Sequence, residues 1–280
     1  MNGKGSAGRS AGDRVGVAPS SAATPEDAAG RTILAALARQ AVDLVTPGAW
    51  VGLGSGRTAS AFITALGERV RGGLAVTGVA TSESSARQAR AAGIALADLE
   101  EGRLLDLTVD GADEVAPNLD LVKGRGGALV RERIVAAASR RQIILVGAEK
   151  LVRGLGARGE IPVEIIPMAC PLVMHRLKLL GVRPTVRLAA PAGDGAAQAF
   201  CTENGNLIIN CAFPVPLADR EAARDLELAL LEIPGVIDTG LFLGTCERVL
   251  VGYPGGRVDV LMRATGAQDD DEGQDEDDRS

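Results

Sequence analysis

The chain has 280 residues, of which 46% are hydrophobic but only 2% aromatic, so its core must be built from Ala, Val, Leu and Ile. Of the net charge of −6, the stretch Asp269–Ser280 contributes −7 (eight acids against one base), which leaves the rest at +1 and gives no general electrostatic case for a nucleic-acid partner. A single His, four scattered Cys with no CxxC pair, and no apolar run of spanning length argue against a metal centre, a Ser–His–Asp triad, a disulfide frame and a membrane protein.

Residues 1–23 are rich in Gly, Ser and Ala and read as a disordered tail without a secretory apolar region. With thiols that suit a reducing compartment, the expected location is cytoplasmic. The first helix is expected from Thr24-Pro25-Glu26, an N-cap, a first-turn proline and an early acid, and ends at Pro47-Gly48. Ala49 to Leu53 reads as a strand and Ala59 to Arg71 as a helix.

Between them lies Gly54-Ser55-Gly56-Arg57-Thr58. A loop between a strand and a helix N-terminus collects free N–H groups at one point, which favours a phosphate. Ser55 and Thr58 add hydroxyls and Arg57 a charge suited to phosphate oxygens. The third glycine of a dinucleotide fingerprint and the Gly-Lys-Ser/Thr of a Walker loop are missing. The plain alternative is a tight turn with no ligand.

Ala75 to Ala80 reads as a second strand, Ser84 to Ala92 as a helix, and Leu104 to Val109 as a third strand. Asp110-Gly111-Ala112-Asp113-Glu114 follows at that strand's carboxyl end, where parallel sheets bind ligands. Three acids this close repel unless they serve something. A metal lacks a supporting His, hydrogen bonds to sugar hydroxyls fit, and a charged surface loop is the bland alternative.

Next comes Lys123-Gly124-Arg125-Gly126-Gly127, a glycine run that lets backbone approach a ligand, and then a helix from about Ala128 to Ser139 with Glu132 near its start. Taken alone, Glu132 equally reads as an acid complementing the helix dipole, and Lys123 as a solvated lysine. Arg131 and Arg133 read as solvated helix residues. Gln142 to Gly147 is an apolar strand. Alternating strands and helices point to a parallel sheet covered on both faces.

Beyond this the pattern changes. Pro162 to Ile166 and Val182 to Leu188 read as strands, with a helix from Leu172 to Leu180 between them. His175 on that helix is read as structural. Phe200 to Glu203 and Leu207 to Ile209 flank Asn204-Gly205, a hairpin signal, and Arg220 to Leu231 reads as a helix. Val236 to Phe242 and Arg248 to Val251 are expected to return to the first domain, the one built on the parallel sheet.

The order Gly-x-Gly-Ser-Gly-x-Thr58, Thr81-Ser82, Val109-Asp-Gly-Ala-Asp-Glu-Val115, Leu121-Val-Lys-Gly-x-Gly-Gly-Ala-Leu129 and Arg131-Glu132 resembles ribose-5-phosphate isomerase A. So do Pro162-Val-Glu-Ile-Ile-Pro167, Asn204-Gly-Asn206 and Ile233-Pro-Gly-Val236, so that the resemblance runs from about Thr24 to Val260. It implies an α/β fold: a Rossmann-like parallel-sheet domain over 24–156 plus 233–262, and a smaller α+β, ferredoxin-like domain over 157–232; outside the resemblance, the charge run over 263–280 reads as an acidic disordered tail.

The function implied is interconversion of D-ribose 5-phosphate and D-ribulose 5-phosphate through a cis-enediol, in the non-oxidative pentose phosphate pathway. It needs no metal and no cofactor, and homodimers or homotetramers are the family's usual assemblies. By the same resemblance Glu132 is the base, and Lys123 with the glycine-run N–H groups stabilises the enediolate. Asp110 and Asp113 hold sugar hydroxyls and assist ring opening. Ser55, Gly56, Arg57 and Thr58 form the substrate loop; Gly111, Ala112, Gly124, Arg125, Gly126 and Lys150 complete the binding set.

Some positions depart from the pattern. Arg57 stands where Ser is usual, Arg125 interrupts the glycine run, Ala148 and Glu149 precede Lys150, and Glu203 replaces an Asp. The first helix has Leu34 where some members place a phosphate-holding Lys, a charge that Arg57 is expected to replace. An isomerase of another pentose phosphate, a catalytically silent sugar-phosphate sensor and a nucleotide-binding protein are the competing readings. Intact Glu132 and Lys123 favour the enzyme.

Overall fold

A computed structural model describes residues 25–190 and 197–263. The two expected tails, apart from Arg263, and the N-cap Thr24 lie outside the described residues. Helix α1 (Pro25–Val42) is followed by β1 (Trp50–Leu53), α2 (Gly56–Arg71), β2 (Thr77–Ala80), α3 (Glu83–Ala91) and β3 (Ala95–Leu96). Then come β4 (Leu107–Gly111), β5 (Glu114–Val115), β6 (Leu121–Val122), α4 (Leu129–Ala137) and β7 (Gln142–Gly147). The remainder is β8 (Ile161–Ile165), α5 (Cys170–Leu179), β9 (Arg183–Val186), β10 (Leu207–Ala212), α6 (Arg220–Leu231), β11 (Val236–Thr239), β12 (Leu241–Phe242), β13 (Arg248–Gly252) and β14 (Val258–Met262).

Seven strands form the large sheet in the order β14-β13-β7-β4-β1-β2-β3, parallel throughout except for β14 at one edge. Its strands are apolar along their length because both faces are covered. Val51, Leu53, Val109, Ile143 and Leu145 point to one side and pack with Leu37 of α1 and Phe62, Ile63 and Leu66 of α2. On the other side Val135 of α4 packs with Val79 and Leu105, and Ile144, Val146, Val249 and Val251 pack with Leu121 and Phe242. The strand order reverses direction between β1 and β4, which opens a crevice at their carboxyl ends.

A four-stranded sheet, β11-β8-β10-β9, is antiparallel throughout. Val163, Ile165 and Ile209 pack against Val173 and Leu177 of α5 and Leu230 of α6. The strand alternation turns Glu164 to the opposite face, fully buried. A three-stranded piece, β12-β6-β5, covers part of the large sheet.

Three expectations change. Val236–Thr239 does not return to the parallel sheet: it pairs antiparallel with β8, and the chain leaves the small sheet only after Thr239. The Asn204-Gly205 turn forms, with Gly205 at φ +79°, but its first arm holds only isolated bridges, because Thr202, Asn204 and Asn206 are drawn onto Glu164 instead of a ladder. His175 is exposed on α5, whose buried positions are Val173 and Leu177.

Candidate active site

Asp110 is the last buried residue of β4, and the glycine across from it is there for space. A Cβ on Gly54 would lie 2.2 Å from Asp110 Cγ and Oδ1, so only glycine lets the two chain segments meet. Asp110 Oδ1 accepts the N–H of Ser55 at 3.0 Å and of Gly111 at 2.7 Å. The loop after β1 is thus tied to the end of β4.

Hydroxyls fix the same loop from the other side. Ser55 Oγ lies 2.8 Å from Thr81 Oγ1 and donates to Ser82 Oγ at 3.0 Å. Ser82 caps α3 by accepting the Ser85 N–H, and Ser85 Oγ donates to the Gly54 carbonyl at 2.6 Å. Helix α2 starts at Gly56, earlier than its apolar pattern suggests, so Arg57 and Thr58 stand in its first turn. Gly56, at φ +85°, and Arg57 are exposed; Ser55 and Thr58 are partly covered.

At the bottom sit three charged side chains that water scarcely reaches: Asp110 and Lys123 are 2% exposed and Glu132 is 6%. Lys123 Nζ lies 2.9 Å from Asp110 Oδ2 and 3.2 Å from Glu132 Oε2, and donates to the Gly111 carbonyl at 2.6 Å. Burial alone would lower the Lys123 pKa, but Asp110 and Glu132 outweigh it and hold the ammonium above its ordinary range. Burial, with the nearby Asp110 charge, pushes the Glu132 carboxyl up to about 7 against the pull of Lys123. Glu132 Oε2 is the oxygen that faces Lys123, and it is buried with no further hydrogen-bond partner.

The other predicted residues divide by position. Asp113 is partly covered and its Oδ2 accepts the Arg125 N–H at 3.0 Å. The Arg125 guanidinium turns to the Arg158 carbonyl at 2.9 Å, so the loop receives its backbone rather than its charge. Gly124, at φ +104°, lies too close to Leu129 and Pro162 for a side chain, whereas Gly126 is open and exposed. Ala112 and Lys150 are half-buried; Lys150 ends the turn after β7, beside the Val115–Leu151 bridge, and is not joined to the buried cluster. Glu114 is structural, its oxygens accepting the N–H groups of Gly156 and Arg158 at 2.6 Å each. Among the described residues no group of three or more His, Cys, Asp or Glu could hold a metal, and no helix is long and apolar enough to cross a membrane.

Sequence reading missed what lies behind α4. Arg131 and Arg133 are not solvated helix residues. Arg131 binds Glu203 and Asn204, and Arg133 binds Asp238 and the carbonyls of Thr239 and Leu241. Arg187 donates to the Gly124 and Arg125 carbonyls. All three join segments far apart in sequence, and only Asn204-Gly205 gave a local sign of the structure they meet.

Residues 77–256 match the family model described as ribose 5-phosphate isomerase A (phosphoriboisomerase A). A ribose-5-phosphate isomerase A of Gloeobacter violaceus is 50% identical over 225 residues, 80% of this chain and 93% of the relative. One of Thermomicrobium roseum is 46% identical over 228 residues, 81% and 92% of the two chains. Among solved structures, ribose 5-phosphate isomerase A of Methanocaldococcus jannaschii superposes with a TM-score of 0.75 at 36% identity, covering 83% of this chain and 99% of that one. A D-ribose-5-phosphate isomerase in complex with phospho-erythronic acid superposes with a TM-score of 0.76 at 35% identity, again over 83% and 99%.

Proposed function

The chain belongs to the ribose-5-phosphate isomerase A family and is an aldose–ketose isomerase of ribose 5-phosphate; from that premise we propose that Glu132 moves the proton and Lys123 steadies the charge that results. The observation that carries this reading is the buried Glu132 carboxyl, 3.2 Å from a buried ammonium at the carboxyl edge of a parallel sheet.

The reaction exchanges a hydrogen between neighbouring carbons and leaves the sugar's oxidation level unchanged, so no electron carrier is needed. Glu132 takes the proton from C2 of the open-chain aldose. The electron pair forms a C1–C2 double bond, and the carbonyl oxygen at C1 becomes an oxyanion. In this reading Lys123 and the N–H groups of the glycine run steady that charge. Protonation at O1 and loss of the proton at O2 give the ketone at C2, while Glu132 returns its proton to C1. A base with a pKa near 7 both accepts and gives back a proton at neutral pH.

In this reading Asp110 and Asp113 hold sugar hydroxyls and assist ring opening. Ser55, Gly56, Arg57 and Thr58 take the phosphate end, aided by the α2 dipole. Gly111, Ala112, Gly124, Arg125, Gly126 and Lys150 line the remainder. Phospho-erythronic acid, the ligand of one solved relative, joins a planar carboxylate to a phosphorylated chain, the charge and shape of an enediolate. The same reading takes the enzyme as cytoplasmic and homodimeric or homotetrameric. Exposed Met168, Leu172, Leu179 and Leu231 on the outer side of the small sheet support association of copies.

The test is conversion of ribose 5-phosphate to ribulose 5-phosphate by purified protein in EDTA. Activity is expected to survive chelation, and Glu132→Gln to lower kcat at least about a hundredfold. Near-wild-type turnover in that variant would exclude Glu132 as the base.

A further inference from the structure

Helix α4 carries the proposed base but has no side-chain cap: Ala128 at its start offers no oxygen to the first free N–H groups. What holds its first turn comes from distant chain. Arg131, the neighbour of Glu132, donates Nε to Asn204 Oδ1 at 2.9 Å and Nη1 to Glu203 Oε2 at 2.7 Å. The same Glu203 carboxylate accepts the Glu83 N–H, at the start of α3, through both oxygens at 3.1 and 3.0 Å. Asn204 in turn donates to Oε1 of the fully buried Glu164 at 3.0 Å. Just upstream, Phe200 occupies the space beside Gly127, where an added Cβ would lie 2.5 Å from its ring.

We propose that Glu203 is a positioning residue for the isomerisation: it links Arg131 to the N-terminus of α3, and so fixes the first turn of α4 and the place of the Glu132 carboxylate against Lys123. The proposal rests on Glu132 as the base. Glu203 and Arg131 are 38% and 33% exposed, so their ion pair adds little stability by itself. Geometry is a different matter. A base must stand within hydrogen-bond reach of the proton it takes, and an error near 1 Å costs about a hundredfold in rate. Helix α3 is a firm anchor because its start is already capped by Ser82, so tension on Glu203 is passed to α4 rather than absorbed.

The experiment compares steady-state kinetics of full-length Glu203→Ala, Arg131→Ala and the double variant on ribose 5-phosphate, with melting curves. Each single change is expected to lower kcat about tenfold while KM stays within about twofold. The double variant is expected to be no worse than the worse single, because both remove one link. Melting is expected to change little. Wild-type kcat in Glu203→Ala, a rise in KM at constant kcat, or losses that multiply in the double variant would each overturn the proposal. If Glu203→Ala does not fold, Glu203→Gln keeps the shape without the charge and must still lower kcat. A Glu132→Gln control that kept its turnover would instead refute the base assignment on which the clamp depends.

Discussion

The three buried charges near the crevice share one ammonium between two carboxylates. Asp110 has two backbone N–H donors and Lys123, whereas Glu132 has the Lys123 ion pair at Oε2. The Glu132 carboxyl is lifted from 4.5 to about 7, by burial first and by the Asp110 charge second. Because Glu132, as the proposed base, must be ionised to take a proton, kcat/KM is expected to fall as pH drops through about 7. A pH–rate profile that stayed flat down to pH 5 would contradict this. Stability moves the other way. Between 4.5 and about 7 the folded state holds a proton that the unfolded chain has released, so stability declines as pH rises through that window. Glu132→Gln is therefore expected to melt above the wild type at pH 8 and to lose that advantage at pH 4, which melting curves at the two pH values would show.

At the scale of elements, the crevice depends on how closely β1 and β4 can end side by side. Gly54→Ala would set a methyl group 2.2 Å from Asp110 Cγ and push that side chain off the Ser55 N–H and Lys123. We expect a loss of about 1–3 kcal/mol, read by denaturant unfolding, and a kcat reduced well beyond what the stability change explains. Much of this level was legible in the sequence. β7 and α6 keep their expected bounds because the four-residue apolar run Ile143–Val146 and an Asp-capped amphipathic turn are strong local signals. The glycine-rich loops announced the crevice for the same reason. β3, β5, β6 and β12 have two residues each, too few for any period to appear. Val236–Thr239 reads as a strand wherever it goes; its partner is set by register with β8, which no local pattern encodes. Arg131 and Arg133 sit at polar helix positions that look alike whether water or a carboxylate lies opposite, so their roles were hidden until the small sheet was in place.

For the whole molecule, the decisive arrangement is α4 lying between the two sheets, Glu132 on one flank and Arg133 on the other. Arg133 donates Nε to Asp238 Oδ2 at 2.5 Å and Nη2 to the carbonyls of Thr239 and Leu241 at 2.9 and 2.6 Å, with its guanidinium 4.3 Å from the centre of the Phe242 ring. Arg133→Ala leaves Asp238, whose pKa burial already raises, without its counter-charge. The expected loss is about 2 kcal/mol in equilibrium unfolding, moderated by the partial exposure of the pair; a change near zero would mean that the contact is ornamental. The carbonyls it holds belong to the run from Val236 to Phe242, which pairs with β8 before Gly240 and with β6 after it. At that joint Gly240 donates to Pro162 O at 2.7 Å and accepts the Lys123 N–H at 2.8 Å. One stretch of backbone is thus a rung in two ladders, with the Lys123 N–H bonded at the joint between them. Neither ladder can fray at this edge without loosening the other, so the two are expected to open together in amide hydrogen exchange.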